Sequence, residues 1–147
     1  MTAHRFALSV PATPTAVTAA RHQAVDAIKG WDAALSNEVV HTAELVISEF
    51  VTNAVRHSEA DPVSLSVRLD GKALRIEVCD VCPEMPQPGL PDPYSESGRG
   101  LFLVVVLTDR YGVEPTAIGK RCWAEIDLPT SPDQQIAFSL LSQRSCW

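Results

Sequence analysis

VSLSVRLDGKALRIEVC, residues 63–79, is the stretch whose reading decides the fold. Residues 63–69 alternate apolar and polar, and residues 73–79 alternate again, which is the period of a strand with one buried face. Asp70-Gly71 between them is hairpin chemistry, because a tight turn favours residues that tolerate positive φ. The stretch predicts two antiparallel strands joined by a short turn.

Upstream, the longest periodic segment runs from near Ser36 to about His57. Val39, Val40, Ala43, Val46, Ile47, Phe50, Val51, Ala54 and Val55 fall on one broad face at 3.6-residue spacing, so this is an amphipathic helix. Thr13-Pro14 reads as an N-cap followed by proline at the first helical position, and that helix runs to about Lys29 before Gly30. Phe6, Leu8 and Val10 alternate with polar residues over 4–10, which predicts a half-buried strand ended by Pro11.

Downstream, residues 82–98 hold five prolines and two glycines, so no packed element fits there and a long loop is expected. Loops of that length are usually lids or binding loops. RGLFLVVVLTD, residues 99–109, predicts a short apolar helix, although its β-branched residues would also suit a strand. Strands over 110–115 and 121–128 follow, with a turn at Ile118-Gly119. Residues 1–129 read as one domain and residues 130–147 as an appended tail, whose Phe138, Leu140, Leu141 and Trp147 can dock on the domain or on a partner. The order of elements predicts an α+β two-layer sandwich, with a mostly antiparallel mixed sheet and helices on one face.

The 147 residues suit a single domain, and 46% hydrophobic with 20% charged residues is ordinary globular composition. The formal net charge of −6, with 12 dispersed Lys and Arg, argues against a nucleic-acid-binding face. The opening MTAHRFALSV has no long apolar core, and no stretch approaches the ~20 apolar residues of a membrane span, so a soluble, cytoplasmic protein is expected. Cys79 and Cys82 form a CxxC, but no second pair of ligands accompanies it. Ordinary reduced thiols are the expectation, and a redox switch is the speculative alternative.

Three groups of residues can carry chemistry. Glu49 and Asn53 are four apart on the long helix and lie one above the other. Such a pair can polarise a hydroxyl and ligate a divalent cation through oxygen; it can equally be part of a solvated helix face. Asp80 ends the second hairpin strand, where a carboxylate can accept a hydrogen bond from a ligand amine or simply begin a turn. Ser97-Gly98-Arg99-Gly100 precedes the apolar run from Leu101. Glycines at a helix start expose N–H groups that suit phosphate oxygens, or they make a flexible joint.

In that order these residues resemble a known family. SEFVTNAVRHS (48–58) resembles the N-box of the Bergerat-fold ATPases, the superfamily of gyrase, chaperone, histidine-kinase and mismatch-repair ATPases (GHKL). VCDVCPEMP (78–86) resembles the first glycine box and SGRGLFLVVVLTDRYGVEP (97–115) the second. GKRCWAEIDLP (119–129) resembles the closing strand of the anti-sigma-factor serine kinase branch. The likeness covers roughly residues 4–129. It implies Glu49 as general base, Asn53 as the amide that holds Mg²⁺ against ATP phosphates, and Asp80 as the carboxylate that reads the adenine amine. It implies Gly98 and Gly100 as lid glycines, with Arg99 and Leu101 beside the nucleotide. His57 closes the N-box and is expected to be a helix-end histidine. One departure stands out: the family's glycine two residues after the aspartate is here Cys82, followed by Pro83, where a backbone must pass close to the base.

The resemblance implies an anti-sigma factor that phosphorylates a serine of a STAS-type anti-anti-sigma partner with ATP and Mg²⁺; relatives of that branch are often homodimers. The alternative is a partner-binding module of the same fold with weak or absent nucleotide binding, which the altered first box favours. The catalytic half of a sensor histidine kinase is not expected, because only about 35 residues precede the N-box helix.

Overall fold

The computed structural model describes residues 4–31, 35–58, 61–81 and 96–128, with the backbone alone for 96–101. Its elements are β1 (His4–Val10), α1 (Pro14–Gly30), α2 (Asn37–His57), β2 (Val63–Leu69), β3 (Ala73–Asp80), α3 (Glu96–Leu107), β4 (Arg110–Pro115) and β5 (Lys120–Asp127). The sequence order, strand, two helices, hairpin, helix, two strands, is the one expected. The long loop, Cys82, Pro83 and the tail predicted for 130–147 lie outside the described residues.

The hairpin forms as its alternation requires. Leu65 pairs with Val78, Val67 with Ile76 and Leu69 with Leu74, and all six are buried. The turn is set locally. Asp70 Oδ1 accepts from the backbone N–H groups of Lys72 at 3.2 Å and Ala73 at 3.1 Å. Gly71 takes φ 93°, a conformation that a side chain would strain.

Five strands make one sheet in the order β1-β2-β3-β5-β4. The sheet expected to be mostly antiparallel is antiparallel at every described pairing. The α+β two-layer architecture follows, because α1, α2 and α3 form one layer and no described helix packs on the opposite sheet face, here called the open face. α2 packs against α1, α3, β2, β3 and β5, and so occupies the middle of that layer. Its buried residues are Val39, Val40, Ala43, Val46, Ile47, Phe50, Val51 and Ala54, the face read from periodicity. Burying a side chain such as Ile47 contributes about 1.5–3 kcal/mol.

The helix caps explain where α1 and α2 begin. Thr13 Oγ1 accepts from Ala16 N at 3.3 Å, and Ser36 Oγ accepts from Val39 N at 3.1 Å. Each satisfies one first-turn donor that would otherwise lack a partner.

α3 differs from the expectation. It begins at Glu96, three residues before the predicted 99, and ends at Leu107 instead of 109. Gly98 therefore lies inside the helix and not ahead of it, together with Gly100. A glycine costs only up to about 1 kcal/mol in a helix interior, less than packing against α2 can return. Val104 is the buried contact of the described part, whereas Phe102, Leu103, Val106 and Leu107 remain partly exposed.

Candidate functional site

On the helix-covered face, β3 and β5 meet in a column of apolar pairs. Leu74 stands opposite Ile126, Ile76 opposite Ala124 and Val78 opposite Cys122. The next step of the same column is Asp80 opposite Lys120. Lys120 Nζ donates to Asp80 Oδ1 at 3.1 Å, and the two side chains are 3% and 1% exposed. A buried charge pair thus ends an otherwise apolar column.

The turn before β5 holds Lys120 in place. Thr116 N donates to Gly119 O at 3.0 Å, and Gly119 N donates to Thr116 Oγ1 at 3.0 Å. Gly119 then runs against the end of β3. A Cβ there would overlap the Asp80 carbonyl oxygen and stand 2.6 Å from Val81 Cα. Only glycine permits this close approach, and it brings Lys120 alongside Asp80.

Cys122 lies two residues on, on the same face. Burial pushes its thiol up to about 11, with Asp80 and Cys79 raising it further and Lys120 opposing. It is a protonated packing residue at neutral pH. Cys79, its neighbour on β3, is half-buried, pairs in register with Arg121 and points to the other face. The CxxC partner Cys82 is outside the described residues.

Glu49 and Asn53 sit one turn apart on α2, both half-buried. Helical spacing puts them along one edge of the buried stripe, beside Val46 and Phe50. Burial raises the Glu49 carboxyl above the ordinary range, against a lowering by the Arg56 charge. A carboxylate moved toward neutrality is a better proton acceptor at physiological pH. His57 is exposed in the last turn of α2, a helix-end histidine as expected.

Gly98 and Gly100 both lie at the start of α3. By helix geometry the Gly98 N–H is among the first-turn donors without an intrahelical acceptor, whereas the Gly100 N–H is four residues from Glu96 and engaged by it. The side chains of Arg99 and Leu101 are outside the described residues.

The structure therefore sets Asp80 and Lys120 side by side at the end of the sheet. Glu49 and Asn53 lie on the edge of α2, which packs against both of those strands, and α3 lies against α2. Lys120 was not among the sequence-predicted residues. Its signal was present: Lys120, Cys122, Ala124 and Ile126 share one strand face, but the predicted strand began a residue too late, at 121.

Residues 10–124 match the histidine kinase-like ATPase domain family. The chain belongs to that family. The fold is similar to that of the RsbU and RsbW domains of Rv1364c from Mycobacterium tuberculosis, at a TM-score of 0.61 and 20% identity. That match covers 84% of this chain and 31% of the other, so this chain spans about a third of that chain's length. No curated protein matches the chain.

An ATPase domain implies ATP binding, usually with Mg²⁺, and the donors present fit that pairing. Among the described residues no three His, Cys, Asp or Glu side chains group to hold a metal alone. Mg²⁺ commonly takes one or two protein oxygens and completes its shell with phosphates and water. The amide oxygen of Asn53, with the Glu49 carboxylate one turn away, supplies that kind of donor. None of the described helices is long and apolar enough to cross a membrane.

Proposed function

We propose that this ATPase domain is an ATP-binding regulator of the anti-sigma-factor type, a serine kinase that transfers phosphate to an anti-anti-sigma partner. The observation that carries the reading is the buried Asp80 at the end of β3, a strand against which α2, the helix that bears Glu49 and Asn53, packs. Bound ATP and Mg²⁺ supply the phosphoryl group and the charge neutralisation that such transfer requires. Asp80 accepts a hydrogen bond from the 6-amino group of adenine. Asn53 holds the metal through its amide oxygen. Glu49 orients the serine hydroxyl and takes its proton. Gly98 offers its N–H to a phosphate oxygen, as the positive end of α3 favours, and Arg99, Gly100 and Leu101 border the same phosphates.

The partners in this reading are a sigma factor, held inactive, and a STAS-type protein that carries the serine. The location is the cytoplasm, and a homodimer is the expected assembly. Incubation with labelled ATP, Mg²⁺ and a serine-bearing partner of that class should place label on the serine. A folded protein that transfers none removes the kinase claim.

A second reading, a partner-binding module with little nucleotide affinity, is favoured by one observation. Asp80 already has an ammonium partner in Lys120. Equal and negligible heats of ATP binding for the wild type and Asp80→Asn would support it.

A further inference from the structure

We propose that Lys120 is a positioning residue for base recognition: its ammonium clamps the Asp80 carboxylate, and the clamped pair selects adenine over 6-oxopurines. The inference rests on the nucleotide-binding reading above and deepens it.

The first support is energetic. Removing two charges from water costs several kcal/mol per ion, and a well-packed apolar pair often serves a fold as well or better. The column Leu74–Ile126, Ile76–Ala124, Val78–Cys122 shows what stability alone selects at these positions. A charged pair at its end calls for another reason.

The second support is geometric. Asp80 and Lys120 are directly opposed in the ladder. The 116–119 turn fixes where β5 begins, and Gly119 presses its backbone against Asp80 and Val81. Lys120 therefore approaches Asp80 from a rigid base, and its reach to Oδ1 sets the rotation of the carboxylate.

The third support is chemical capacity. A carboxylate has about four lone-pair sites on two oxygens, so one ammonium does not exhaust it. Held as an acceptor, it is matched to the 6-amino donor of adenine and mismatched to the 6-oxo acceptor of hypoxanthine. Without the ammonium the carboxylate loses the contact at Oδ1 that sets its rotation, its lone pairs no longer meet the 6-amino donor in line, and the preference for adenine weakens. Lys120 thereby acts through Asp80 and not on the phosphates.

The test uses calorimetry of the whole chain with Mg²⁺ and either ATP or inosine triphosphate. The wild type should prefer ATP by at least about tenfold, the worth of one hydrogen bond made or mismatched. In Lys120→Met the preference should fall to within about threefold. Loss of both affinities at an unchanged ratio would show that Lys120 only supports the fold, and would overturn the inference. Should Lys120→Met not fold, the comparison of Asp80→Asn with Asp80→Asn/Lys120→Met decides, because neither keeps a buried carboxylate at residue 80. Acting through Asp80, Lys120 should alter ATP affinity by less than about twofold in that background. A further tenfold loss would overturn it. A wild type that binds neither nucleotide overturns the nucleotide-binding reading itself, an outcome distinct from an unchanged ratio.

Discussion

The two faces of the sheet use charge in opposite ways. On the open face, Arg75 pairs with Glu77 at 2.7 Å and with Glu125 at 3.2 Å, and Arg110 reaches Glu125 at 2.7 Å as well as Asp127. Arg121 reaches Glu114 at 3.3 Å. The Arg75 guanidinium also lies 4.4 Å over the Trp123 ring. These side chains stay partly in water, where each pair is worth about 0–1 kcal/mol. On the covered face the Asp80–Lys120 pair is buried among apolar residues, where desolvation is costly and loss of one partner more so. A surface lattice of charges needs no special purpose, since it replaces one solvated arrangement with another. A buried pair in an apolar column does, and here it coincides with the position at which the family's base-reading carboxylate is expected.

The largest expected effect breaks the covered-face pair. Lys120→Met should lose about 3–5 kcal/mol in urea unfolding, because it removes the ammonium paired with the buried Asp80 carboxylate. Asp80→Asn/Lys120→Met should regain most of that; equal stability of Lys120→Met and wild type would deny that the pair is buried as described. Next, Gly112→Ala would put a Cβ 2.7–2.8 Å from the Trp123 ring. It should cost about 1–3 kcal/mol and alter the near-ultraviolet dichroism, which would locate the open face's tight packing in Trp123 and not in its ions.

A smaller effect is expected from Glu125→Gln, about 1 kcal/mol or less, shrinking as salt is added. Hydrogen bonds from Arg110, and then Arg75, hold the Glu125 carboxyl below its usual range. Its stabilisation is therefore present above the ordinary glutamate value and lost as pH falls through the lower native one. The variant should flatten that acid limb of the stability curve. The smallest stability change belongs to Glu49→Gln. Burial raises the Glu49 carboxyl, so its contribution is full below the ordinary range and lost as pH rises through the native value. At neutral pH the melting temperature should stay level or rise slightly, while the proposed transfer falls by on the order of 10²–10⁴. A clear drop in melting temperature would mark Glu49 as structural.

The hairpin, α2 and their buried faces were legible because period 2 and period 3.6 are written directly in residues 63–79 and 39–54. The Thr13 cap was legible too, since a short hydroxyl side chain just ahead of Pro14 reads as a helix start. The start of α3 was not. Gly98 read as the end of the loop, and packing of α3 on α2 outweighs the low helix propensity of glycine there. Lys120 was missed for a related reason. Lysine is almost never buried without a partner, so strand reading stops at it, and the partner lies forty residues away on β3. Long-range register, not local pattern, creates that half of the candidate site.

The most direct test of the nucleotide site is calorimetric titration of ATP with Mg²⁺ into the wild type and into Asp80→Asn. Saturable heat from the wild type, with an affinity at least about tenfold weaker in the variant and both proteins melting cooperatively, is the expected result. Matching heats from the two proteins, whether both large or both absent, would contradict a base-reading role for the buried carboxylate.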